Sequence, residues 1–306
     1  MVTAHNVTTK KDIVKPLQYV GETDVVTSPT SYGTTPSSAV FIIVGNTVEI
    51  NEQPDIQHLD VGVLGSEDII DEVKTGSLYA FSFKYLPISN VLADFVIDPS
   101  GGGVGSIDES LSFTWSENLD GVEFFHHIRG FVPTSITGTI ARGTWEYDIT
   151  GVCKDITIPS SSDGNPGTAV YLSAETSTSP ISHIDGGASP FTWNTQAFGE
   201  RRFSFTITRD VAVIAVNGES DIIYAKNAGR NIQFSTDVFI GFTGKETDIQ
   251  TDWEGKTPRT ATYEIGSDTI TFTKSVLTGF SEAPAAGTTD AMIQSITARA
   301  ESVAIA

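Results

Sequence analysis

The feature of this sequence that most constrains its fold is a period-two alternation of apolar and polar residues, which returns along nearly the whole chain. Thr47 to Asn51, Ser77 to Tyr85, Leu111 to Trp115, Glu123 to Ile128, Gly143 to Ile149 and Asp155 to Ile158 carry it, rich in β-branched and aromatic residues. Such segments favour strands, because successive side chains project to opposite faces, one toward a core and one toward water. The second half repeats the pattern in Phe203 to Thr208, Val211 to Val216, Asn231 to Ile240, Thr260 to Ile265, Thr269 to Thr273 and Ile296 to Ile305. Turn chemistry separates the segments at Gly101 to Gly103, Asp120-Gly121, Asp163 to Gly167, Asp185 to Gly187, Asn217-Gly218 and Ala228-Gly229. Helix is expected only over Ile88 to Ile97, capped by Ser89 or Asn90, over Glu67 to Val73, and over a third short stretch, Asp290 to Gln294.

An all-β chain of 306 residues has room for two domains of ordinary size. Ser160 to Pro190 is rich in Ser, Thr, Gly and Pro, with one strand-like interruption at Ala169 to Ala174, so a boundary belongs near its end. Residues 1–38 carry three prolines and no sustained period, which reads as an arm or long loop. The expected division is an N-terminal arm over 1–38, a first domain over 39–184 and a second over 185–306. A faint internal repeat supports it. Thr47 to Gln53 resembles Arg202 to Asp210, and Thr75-Gly76 precedes one alternating strand as Ala228-Gly229 precedes another.

Charge narrows the function. Lys and Arg number 18 against 38 Asp and Glu, a formal charge of −20, which opposes any surface that grips nucleic acid by counterion release. No apolar run approaches the roughly 18–20 residues that a helical membrane span needs, and no secretory signal is readable at the N-terminus, so the chain is expected to stay in the cell that makes it. The single Cys153 has no disulfide partner and is expected to be a small buried hydrophobe.

Catalytic signatures are missing. Trp115 and Glu117, Trp145-Glu146 and Trp253-Glu254 pair aromatics with acids, as a glycosidase would, but Trp145 and Glu146 must face opposite ways on a strand. His126-His127 likewise diverge, and His58 and Asp60 lack further ligands nearby. Gly101 to Gly105 lacks the helix and Lys of a phosphate loop, and Asp163 and Asp185 do not form a calcium loop. No enzyme, cofactor or metal site is expected.

Several segments carry a family resemblance. Gln18 to Asp24 followed by Tyr32-Gly-Thr-Thr-Pro36, then Gly151-Val-Cys-Lys-Asp-Ile-Thr-Ile158, Ser189-Pro-Phe-Thr-Trp193 ahead of Phe203, and the closing Ala298 to Ile305 resemble the tandem-domain tail tube proteins of tailed bacteriophages and archaeal tailed viruses. The resemblance implies two tandem β-sandwich or half-barrel domains, each with a flanking helix, whose inner sheets join into a continuous pore barrel. It implies homotrimeric rings of pseudo-sixfold symmetry that stack into the virion's tail tube, assembled in the host cytoplasm. Further implied partners are a tape measure and a tail terminator protein, and viral DNA passing through the lumen without specific binding. An appended immunoglobulin-like domain, found in some family members, is not readable in the chain.

Within that frame the polar sides of the inner strands are the lumen candidates: Thr47, Glu49 and Asn51; Ser204, Thr206, Thr208 and Asp210; Asn231, Gln233, Ser235 and Asp237. Val48 and Ile50, Phe203, Phe205 and Ile207, and Ile232, Phe234 and Val238 would then enter the core, and the small number of basic residues would let DNA slide. The alternative is a carbohydrate-binding or adhesin-like sandwich, with Trp115, Trp145, Trp193 and Trp253 as stacking platforms.

Overall fold

The computed structural model describes residues 6–7, 13–22, 32–37, 39–62, 69–97, 110–141, 143–160, 179–181, 190–215, 222–240, 246–283 and 292–306. The fold is mostly antiparallel β-sheet with two short helices among the described residues. In chain order the elements are β1 (Asn6–Val7), β2 (Ile13–Gly21), β3 (Ile42–Ile43), β4 (Asn46–Gly62), β5 (Ile69–Leu86), α1 (Val91–Ile97), β6 (Leu111–Leu119), β7 (Val122–Ala141), β8 (Thr144–Cys153) and β9 (Asp155–Ser160). They continue with β10 (Phe191–Trp193), β11 (Gln196–Phe198), β12 (Glu200–Ala215), β13 (Ile222–Ile240), α2 (Glu246–Gly255), β14 (Arg259–Ile265), β15 (Asp268–Ala283), β16 (Met292–Ala300) and β17 (Ser302–Ile305).

One sheet runs through both halves of the chain. Its eight long strands pair in the order β4, β5, β8, β7, β12, β13, β16, β15. Two smaller sheets back it: β3, β2, β6, β7, β9 in the first half, and β11, β10, β14, β15, β17 in the second. β7 and β15 each serve two layers. The N-terminal part of β7, to Phe131, pairs in the small sheet and the rest, from Val132, in the long one, while β15 changes sheets between Ser275 and Val276.

The same succession of elements therefore occurs twice: short outer strands, a long hairpin, a helix, an outer strand, a sheet-switching strand, an inner strand and a short outer strand. The two long hairpins match pair for pair. Thr47 faces Tyr85 as Glu200 faces Val238, each 153 residues after its counterpart (200 − 47, 238 − 85). All three register shifts of β4 with β5, at Thr47/Glu49, Gln57/His58 and Val61/Gly62, recur under that offset at Glu200/Arg202, Asp210/Val211 and Ile214/Ala215. Bulges are specific local geometries, so three in register mark one architecture used twice.

The apolar sides of the long strands meet the small sheets in a continuous core. Phe81 and Phe83 pack on Phe113 at 5.4 and 5.1 Å between centroids in the first half, and Phe203 stacks on Tyr263 at 4.0 Å in the second. Trp145 bridges the two, 5.4 Å from Tyr263 and 6.1 Å from Phe203. Where β7 meets β12, Gly138 lies opposite Phe205, and a Cβ there would stand 2.3 Å from the Phe205 ring. Only glycine admits the aromatic ring so close to the backbone.

Several expectations from the sequence need correction. Residues 13–21 are not a loose arm: they form β2 against β6, with Leu17, Tyr19 and, further on, Tyr32 buried. Pro16 and a register shift between Lys15 and Gln18 hide the period. The expected helix over Glu67 to Val73 is the start of β5 from Ile69 on, and Met292 to Gln294 open β16, because hairpin pairing overrides local helical spacing. Gly76 and Gly229 sit at bulges within long strands rather than at turns. Asn90 does not cap α1 with its side chain, which accepts from Tyr147 and donates to Asp268 instead. The expected turns at 101–103, 163–167, 185–187 and 217–218 and the strand over 169–174 lie outside the described residues.

Candidate assembly surface

Away from the core, the middle of the long sheet presents a face of mostly polar side chains. Cross-strand register aligns them in rows: Glu49, Lys84, Asp148, Thr137, Thr206, Gln233 and Arg299 form one, from β4 across to β16. A second runs Asn51, Ser82, Thr150, Ser135, Thr208 and Asn231. Glu146, Thr139, Ser204, Ser235 and Thr297 make a third. Small hydroxyls bond across the strands, with Thr137 to Thr206 at 3.2 Å and Ser204 to Ser235 at 2.9 Å. Ser295 donates to Asp237 at 2.7 Å, and Arg299 donates to Asn231 at 2.9 Å.

Ten of the eleven sequence candidates belong to this face, and Thr47 does not. The bulge at Val48 turns Thr47 into the interior and leaves Val48 53 % exposed, since a one-residue insertion reverses facing. The face is also less free of basic residues than the sequence suggested. Lys84, Arg202 and Arg299 lie on it, against Glu49, Glu146, Asp148, Asp210 and Asp237. Lys84 stands 3.9 Å from Glu146 and 3.8 Å from Asp148, and Arg202 stands 3.6 Å from Asp237. Pairing keeps the cations near carboxylates, and among the described residues the acids on this face outnumber the bases.

Among the described residues the sheet ends at two edges. β4 forms one, and beyond β5 its described neighbour is β1, through Asn6 opposite Asn51 and Val7 opposite Ile50. The switched part of β15, from Val276 to Ala283, forms the other, and among the described residues it pairs with β16 alone. These edges are related as β12 and β7 are at the centre of the sheet. β4 is the counterpart of β12, and β15 is that of β7: the bulge residue Thr134 donates to the Thr150 carbonyl as Thr278 donates to that of Thr297. An open edge carries unpaired backbone donors and acceptors, a template for another strand.

Chemistry-bearing residues are placed as structure. Cys153 is buried and donates to the Tyr79 carbonyl at 3.4 Å, and burial pushes its thiol well up, so it stays protonated at neutral pH. Trp115, Trp145 and Trp193 are no more than 1 % exposed, which removes them as sugar platforms. Trp253 is partly buried, 5.8 Å from Phe280. His126 is buried between two carboxylates, 3.2 Å from Glu52 and 3.3 Å from Glu117, and stacks on Trp115 at 3.7 Å. Its two nitrogens point to different acids, an arrangement that orients hydrogen bonds rather than converging on an ion. Among the described residues no group of three or more His, Cys, Asp or Glu is placed to hold a metal ion.

Sequence reasoning missed the junction of β7 with β12, which joins the halves, because no local pattern encodes which strands meet across 69 residues (Thr206 to Thr137, 206 − 137). It also missed α2 and the part played by Arg209, described below. Comparison of the sequence with protein-family models gives no match, and comparison with curated proteins gives no relative.

Proposed function

We propose that the chain is the subunit of a viral tail tube, a structural protein whose three copies close into a ring and whose rings stack around a DNA conduit. The observation that carries this reading is the relation between the sheet's edges and its centre. The first half offers β7 and the second receives it with β12. β15 is the counterpart of β7 and β4 that of β12, so a second copy can join the first as one half joins the other. An interface that repeats head to tail closes into a ring when its rotation divides a full turn. Three chains then present six similar domains, residues 39–184 and 185–306 supplying one each.

The polar face supports the conduit. In such a ring one side of the continuous sheet must line the hole, and the side away from the core carries Glu49, Asn51, Ser204, Thr206, Thr208, Asp210, Asn231, Gln233, Ser235 and Asp237. Hydroxyls and net negative charge offer DNA little to hold, whereas each unpaired basic group would add a phosphate contact. Electron microscopy and native mass measurement of the purified protein test the reading. Rings of three chains, alone or stacked, are expected; a ring of six chains, or a protein that stays a monomer at every salt concentration, would overturn it. In assembled tails, Asp210→Lys with Gln233→Lys should leave tubes intact and slow genome passage, and unimpaired passage would remove this face from the lumen.

A further inference from the structure

Resting on the ring reading, we propose that β1 is a placeholder: in the free chain it holds Asn51, the rung of β4 at which β15 of a second copy starts to add, and it must leave for the ring to close. The junction between the halves fixes where that strand lands. β12 meets β7 from Ser204 opposite Thr139 to Thr208 opposite Ser135. The 153-residue offset carries Ser204 and Thr208 back to Asn51 and Asp55 on β4 (204 − 153, 208 − 153). The shared bulge carries Ser135 and Thr139 forward to Gly279 and Ala283 on β15 (both + 144, as Thr134 to Thr278). The incoming ladder therefore starts with Ala283 of a second copy opposite Asn51.

That rung is taken. Asn6 faces Asn51 and Val7 faces Ile50, and β1 runs antiparallel to β4, the same sense in which β7 meets β12. One rung is contested, Asn51, where the two-residue β1 meets the end of a ladder of five, the number of paired positions between β7 and β12. The longer ladder wins once a second copy is at hand, while a lone chain keeps this end of its edge covered. β1 is thus a reversible cover that delays closure without forbidding it.

A cysteine pair tests this. Directly opposed residues of an antiparallel pair stand close enough for a disulfide, and the native Cys153 is buried and out of reach. Asn6→Cys with Asn51→Cys, oxidised, should remain at single-chain mass under conditions in which the reduced form and the unaltered protein build rings. Removing residues 1–8 should shorten the assembly lag about fivefold, the scale of one or two net hydrogen bonds. Oxidised protein that assembles as fast as reduced protein would overturn the placeholder and leave the ring reading standing. Cysteines that fail to bridge in the free chain would also overturn it, since β1 would not be seated on β4. If no form exceeds single-chain mass at any salt concentration, the ring reading fails and the placeholder with it.

Discussion

His126, held between Glu52 and Glu117 and stacked on Trp115, occupies a position that the second half fills with an aromatic ring. The β14–β15 hairpin follows β6–β7 at an offset of 146 (Ile265 from Leu119, Asp268 from Val122), which matches Phe272 to His126, Tyr263 to Glu117 and Ala261 to Trp115. The hairpin offset matches Phe205 to Glu52. Removing one partner of a buried charged group costs far more than replacing the group by packed apolar residues. His126→Phe alone should therefore destabilise by about 3–5 kcal/mol in denaturant unfolding. The fourfold change E52F, W115A, E117Y and H126F, which copies the second half, should recover most of that loss. Buried tyrosines give a second expectation. Burial pushes Tyr19 up to about 12 and moves Tyr85 and Tyr147 well up, and burial with the Glu200 hydrogen bond does the same for Tyr263. Above pH ~10 the unfolded chain releases phenolic protons that the native protein retains, so stability falls as pH rises from there, and is fully present below it. Tyrosinate absorbance of these four should appear together with loss of the near-ultraviolet circular dichroism, not before it. At this scale the sequence was legible wherever alternation was unbroken, as in Ser204 to Thr208 and Asn231 to Asp237, and misleading where a bulge intervened, as at Thr47.

Among the elements, α1 depends on the other half of the chain. It has no basic residue in its last turn, and its C-terminal carbonyls are served from β12 and β13: Arg209 donates to Val96 and, at 2.8 Å, to Ile97, and Arg230 reaches Ile97 at 3.2 Å. A guanidinium at a helix C-terminus meets both the free carbonyls and the negative end of the helix dipole. Arg209→Met should cost about 2–4 kcal/mol and loosen α1, read as faster amide exchange over 91–97 with β14 and β15 unchanged. Arg209 stands on the buried side of β12, two residues after Ile207, and breaks its apolar alternation, but no local pattern says which carbonyls it meets across 112 residues. α2 escaped notice for a different reason: its only large apolar residues are Ile249 and Trp253, one helical turn apart, in an otherwise polar stretch. It is anchored through Asp252, which accepts from Trp193 at 3.0 Å and from Arg259 at 2.8 Å. The N-terminal segment was misread most. Glu22 accepts hydrogen bonds from Ser110, Ser112 and the backbone amides of Gly33 and Gly130, so residues flanking β2 are fastened to the first half. Truncation beyond β2 would therefore unfold the protein, and a test of assembly has to stop before Ile13.

For the whole molecule, the net charge of −20 works against any contact between copies. Assembly should strengthen as salt or divalent cations rise and screen these charges. Sedimentation or light scattering against salt concentration measures it, and fastest assembly in very low salt would contradict it. The all-β class was legible at this scale and the repetition only in part: Gly76 and Gly229 do correspond, at bulges rather than turns, but the match of Thr47 with Arg202 is two residues off the true counterpart, Glu200. Which strands are neighbours was not legible, since pairing is decided by tertiary packing.

The seam between β7 and β12 is made within one chain, so it forms at the rate of folding and does not dilute. Its Gly138 and Phe205 have become a fitted pair that has no copy at the outer edges. In the ring proposed above, one seam in each pair is made within the chain, and the seam between chains is left to differ from it. In that ring the outer seam would answer to concentration and salt, while the inner one keeps each pair of halves permanently in step.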